Sequence, residues 1–124
     1  MSSVTIREEI SEAIKAHGTW KLRLKTASNG GKLDVPSQDI CRDDKCKFGQ
    51  WLHAPGTKSG MAGDANYERT KQLHAEFHKV AGAIAQKIER GDRDGAKQDL
   101  QPGTPFEVKT KALTSHMMSW RMSL

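Results

Sequence analysis

Residues 64–90 read DANYERTKQLHAEFHKVAGAIAQKIER, and this stretch decides the fold. Tyr67, Leu73, Phe77, Val80, Ile84 and Ile88 recur at steps of three or four residues or their sums, which draws one broad apolar stripe along a helix. Gly91 is the stop signal that follows. Nothing in the stretch alternates with the period of two that a half-buried strand requires.

The same reading extends outward in both directions. Residues 3–27 predict a first helix, with Ile6, Ile10, Ile14, His17 and Leu24 on one face and Asn29-Gly30-Gly31 as its stop. A loop follows over 30–37, with Pro36 and Ser37 opening the next segment. Residues 37–53 predict one kinked helix or two short ones, with Asp43 or Asp44 as the candidate cap of the second. The run APGTKSGM, 54–61, reads as loop. Beyond Gly91, Asp92 can cap a short helix over DRDGAKQDL, and Pro105 can open a last helix carrying Phe106, Leu113, Met117 and Trp120. Met117, Met118 and Met122 read as core filler there. No strand pattern and no internal repeat occur. The expected fold is all-α, an antiparallel four-helix bundle with short additional helices, in one domain over residues 1–124.

Composition narrows the function. The chain has 124 residues, 35% of them hydrophobic and 28% charged, which suits one thin core under a large wetted surface. No apolar run approaches the roughly 20 residues of a membrane span. The N-terminus lacks the apolar stretch of a secretory signal, so the expectation is a cytoplasmic protein without a membrane partner. The net charge is +5, but Lys and Arg are scattered among Asp and Glu without interleaved aromatics, so no nucleic-acid partner is expected. In a reducing compartment the two cysteines, Cys41 and Cys46, favour a metal or redox role over a structural disulfide.

His74 and His78 lie one helical turn apart, at the edge of the apolar stripe, where two imidazoles can bind one metal ion. Taken alone, the pair reads more readily as two surface or half-buried histidines that happen to be in phase. His17, on the apolar face of the first helix, offers a third imidazole. Cys46, near the start of a short helix, offers a thiolate favoured by the unpaired N–H groups there. Three imidazoles and one thiolate form a tetrahedral set that suits zinc and disfavours magnesium and calcium; copper stays open. Gly49 permits the close approach of a neighbouring backbone or ring, and Trp20 and Trp51 are bulky enough to shield a metal or simply to fill the core. Cys41 reads as a small buried or half-buried residue, His53 and His116 as peripheral.

Three motifs occur in a fixed order: His17-x-x-Trp20, the box Cys46-x-Phe48-Gly49-x-Trp51, and His74-x-x-x-His78. In this the chain resembles the chemoreceptor zinc-binding domain family. The resemblance implies that His17, Cys46, His74 and His78 are zinc ligands. It also implies a four-helix bundle that dimerises and a place in bacterial chemoreceptors and diguanylate cyclases as a sensor of zinc or oxidants. Family members usually accompany a receptor or catalytic domain; this chain either acts by touching a partner or is an excised piece of a longer one.

The same residues bear on three other readings. A zinc hydrolase needs an open coordination position, which four protein ligands close, and Glu76 in HAEFH is turned about 100° from where an HExxH base would stand; no enzyme is expected. A di-iron bundle needs bridging carboxylates that do not accompany these histidines. A purely structural zinc protein would use the same four residues.

Overall fold

Ser2 begins the helical structure: its hydroxyl takes the Thr5 N–H, which has no partner inside the helix. In the computed structural model, which describes residues 2–124, helix α1 then runs Ser3–Gly18 and α2 runs Trp20–Ser28. The one helix expected over residues 3–27 is therefore broken at Thr19. Gly18 is a poor helix former, and Thr19 Oγ1 donates to the Ala16 carbonyl at 2.8 Å, which competes with the regular ladder.

Residues 37–53 form two short helices, α3 (Ser37–Ile40) and α4 (Lys47–His53). The cap of α4 is neither Asp43 nor Asp44 but Cys46, whose Sγ accepts the Gly49 N–H at 3.3 Å. The stretch 54–61, expected as loop, contains α5 (Pro55–Gly60), because Pro55 sits in the first turn with its φ preset for a helix and no N–H to satisfy. The long α6 spans Ala65–Glu89, capped by Asp64 on the Tyr67 N–H, and the chain leaves it through Gly91 at φ +84°. Helix α7 (Arg93–Asp99) is capped by Asp92 and α8 (Pro105–Met122) opens on its proline, both as expected. The described residues contain no strand, and the fold is all-α.

Helix α8 runs antiparallel to α6. Phe106 meets Phe77, Lys109 pairs with Glu76, and His116 Nε2 donates to the Asn66 carbonyl. Helix α1 lies antiparallel to α8, tied by Arg7 to the Leu124 carbonyl and by Arg121 to Ser11. Ile10, Leu24, Phe77, Ile84, Phe106, Leu113 and Met117 are all buried. Each contributes about 1.5–3 kcal/mol by leaving water. Val80, placed on the stripe by its period, is only half-buried. Met118 and Met122 are exposed, so of the three C-terminal methionines only Met117 fills the core. No helix of the described residues is long and apolar enough to cross a membrane.

Candidate metal centre

Four side chains converge where α1, α4 and α6 meet. His17 comes from the last turn of α1, Cys46 from the cap of α4, and His74 and His78 from the middle of α6. The three histidines are 1%, 0% and 2% exposed, and Cys46 is half-buried.

Two glycines allow this convergence. A Cβ on Gly49 would stand 1.7 Å from the Asp43 carbonyl oxygen, so only glycine lets the 41–46 turn fold back on α4 and present Cys46. A Cβ on Gly82 would stand 2.4 Å from the Cys41 Cβ. Gly82 lies one turn beyond His78 on the same face of α6. The close approach there brings the Ile40 carbonyl to 2.8 Å from His78 Nδ1.

The backbone sets the tautomers. A carbonyl only accepts, so His78 Nδ1 carries its proton and donates it to Ile40. His17 Nδ1 likewise donates to the Ala13 carbonyl at 2.7 Å. Burial pushes the pKa of His17 down to about 4 and that of His74 to about 2, and it lowers that of His78. All three rings are therefore neutral at pH 7. His17 Nε2 and His78 Nε2 then hold lone pairs, and they face each other at 3.4 Å. Two acceptors so placed repel until a proton donor or a cation lies between them. The thiol of Cys46 follows the same rule: burial pushes it up, outweighing the Gly49 N–H that favours the thiolate. The helix start alone does not make Cys46 a thiolate, contrary to the expectation from sequence.

The donor spacing fits a four-coordinate ion. Bonds of about 2.0–2.1 Å to nitrogen and about 2.3 Å to sulfur in a tetrahedron put nitrogens about 3.3 Å apart and sulfur about 3.6 Å from each nitrogen. The three Nε2 atoms are 3.0, 3.1 and 3.4 Å apart. Cys46 Sγ lies 3.3, 3.6 and 4.0 Å from them. The four residues are positioned to hold one metal ion.

Rings wall this cluster. Phe48 stands edge-on to His17 and His74, and Phe77 edge-on to His17 and His78. Trp51 stacks on Phe48 at 5.7 Å and so supports the wall from behind. The inner shielding falls to the phenylalanines rather than to Trp20 and Trp51; Phe77, inside the HAEFH run, was the available signal in the sequence. A cavity of about 300 Å³ opens beside the cluster, with Trp20, Val35, Ile40 and Phe48 as apolar lining and His17, Cys46 and His78 in its wall.

The remaining candidates lie apart. Cys41 is exposed, not buried or half-buried, with its thiol donating to the Gln38 carbonyl while its Cβ rests on Gly82. His53 is half-buried and pairs with Asp43 at 2.9 Å, and half-buried His116 is engaged on Asn66. Glu76 is held by Lys109 of α8. Sequence reasoning missed the Asp43–His53 pair and the two carbonyls that orient His17 and His78, since a carbonyl carries no residue-specific signal.

A family model described as the chemoreceptor zinc-binding domain matches residues 17–85, more than half of the chain. No curated protein and no solved structure matches.

Proposed function

The chain belongs to the chemoreceptor zinc-binding domain family, and from that premise we propose that it is a regulatory zinc-binding domain whose ligands are His17, Cys46, His74 and His78. The facing lone pairs of His17 and His78, locked inward by the Ala13 and Ile40 carbonyls, carry this reading. Neutral imidazoles with a thiolate favour zinc over oxygen-seeking cations. Four protein donors leave no open position for a catalytic water, so the domain is a sensor and not an enzyme. The scaffold reads as an antiparallel four-helix bundle. Its members are α1–α2, the broken α3–α4 segment, α6 and α8; Tyr67 OH on the Leu52 carbonyl and Ile40 beside His78 run α3–α4 against α6.

The signal enters through Cys46. Bound zinc holds this sulfur as the thiolate at neutral pH. The cavity beside Cys46 admits a small oxidant such as a peroxide. The Cys46 sulfur attacks one peroxide oxygen, the O–O bond breaks, hydroxide leaves and the thiolate becomes a sulfenic acid. The centre loses its charged soft donor and α4 loses its cap at the same atom. Helix α4, with Phe48 and Trp51, is then free to move, and that movement is what a chemotaxis or diguanylate cyclase partner reads. Exposed Val4 and Met122 lie at the end of the molecule where α1 begins and α8 stops, with exposed Met118 one turn back along α8. This apolar area supports a two-fold homodimer, the commonest closed assembly, in the cytoplasm.

Elemental analysis of protein purified without added metal should find one zinc per chain; an iron-dominated or metal-free protein would end this reading. Peroxide titration with a chromophoric chelator present should release zinc from wild type and Cys41→Ser and lose its dose response in Cys46→Ser. Equal release from wild type and Cys46→Ser would leave a structural site or a sensor of free zinc.

A further inference from the structure

Two of the three metal-facing histidines have an outer hydrogen-bond partner and one does not. His17 Nδ1 is held by the Ala13 carbonyl and His78 Nδ1 by the Ile40 carbonyl. His74 presents Nε2 to the cluster, at 3.0 and 3.1 Å from the other two Nε2 atoms, and its buried Nδ1 has no partner among the protein atoms. With Nε2 given to a metal, Nδ1 must carry the proton, which leaves a donor in the dry core.

An unpartnered hydroxyl lies one turn away. Thr70 is 0% exposed and its Oγ1 also has no partner. A helical threonine ordinarily turns its hydroxyl to the carbonyl four residues back. For Thr70 that carbonyl is Asn66, which already accepts the His116 ring N–H from α8 at 3.3 Å. Helical side chains lean toward the N-terminus, so a ring at position i stands over the turn carrying i−4. His17 demonstrates this here, its Nδ1 lying on the carbonyl of Ala13. Thr70 and His74 likewise share one face of α6, one turn apart.

We propose that Thr70 is the positioning residue of His74: its hydroxyl accepts the His74 Nδ1–H in the zinc-loaded centre, directly after rotation about its Cα–Cβ bond or through one bridging water. This rests on the zinc reading above. It gives the centre one ligand held by a side chain beside two held by backbone, and so one ligand whose grip a single substitution can tune. Outer partners of metal-bound histidines change affinity by about 10- to 100-fold.

The experiment uses the full chain as wild type, Thr70→Val and Thr70→Ser. Zinc affinity is measured by competition with a chromophoric chelator, the metal-free folding midpoint by circular dichroism, and the His74 Nδ1–H by long-range ¹H–¹⁵N spectra of the zinc form. Thr70→Val, which keeps the shape and deletes the hydroxyl, should bind zinc about 10- to 100-fold more weakly. Its His74 Nδ1–H should exchange faster, while its metal-free midpoint stays equal or rises, because an unpaired buried hydroxyl is gone. Thr70→Ser should restore both the affinity and the proton signal. Thr70→Val binding zinc as wild type does, with an unmoved signal, overturns the proposal. A parallel fall in midpoint and affinity with an unmoved signal also overturns it and leaves Thr70 a packing residue. Wild type that takes up no zinc defeats the site itself, and this role with it.

Discussion

On one side of α6, Phe77 meets Phe106 of α8 at 5.8 Å, and the two helices bury Ile84, Leu113 and Met117. On another side of the same helix, within one residue of Phe77, His78 points a lone pair at His17. The first region is self-sufficient: apolar side chains packed at about 3.5–4.0 Å attract one another and need no further partner. The second is not. Its four donors are all buried or half-buried and lie within 4.8 Å of one another, a spacing that one shared metal ion would use in full. The contrast separates what holds the fold from what, on the proposed function, would make it responsive: only the second region gathers donors that a metal ion or the oxidation of one sulfur would act on.

The largest effect should come from the apolar side. Leu113→Ala leaves a void under α8 and should lower unfolding stability by about 2–5 kcal/mol. The loss should be nearly the same in zinc-loaded and chelated protein, measured by urea unfolding of both. A loss confined to the zinc form would mean that the two regions are one cooperative unit.

Gly82→Ala should act on the other side. The added Cβ displaces Cys41 and with it the Ile40 carbonyl that holds His78. Overpacking of this kind costs about 1–3 kcal/mol. Zinc affinity should fall in chelator competition although Gly82 is no ligand, and an unchanged affinity would show that the approach of α3 is not what orients His78.

The smallest effect is expected at His116. Its ring bonds the Asn66 carbonyl outside both regions. His116→Ala should change stability by no more than about 1 kcal/mol and keep one zinc per chain, whereas His74→Ala should lose the metal. Elemental analysis of both proteins checks this, and the reverse outcome would mean that His116, not His74, holds the metal.

The helices and their ends were legible because their signals are local. The α6 stripe, the Gly91 stop, the Asp92 cap and Pro105 each act within a few residues. Where local reading erred, at Thr19, at Pro55 and at the cap of α4, a weak signal met a competing one: a threonine hydroxyl, a proline suited to a first turn, a cysteine standing where an aspartate was expected. His74 and His78 declare a shared face by their spacing, and His17 and Cys46 declare the right chemistry. Spacing along the chain carries no distance between segments, however. That His17 comes within 3.4 Å of His78, which ring nitrogen of each holds its lone pair, and that His74 alone lacks an outer partner were decided by tertiary packing. The reason is physical: these distances are set by backbones meeting at Gly49 and Gly82, and by carbonyls that every residue possesses and no sequence pattern marks.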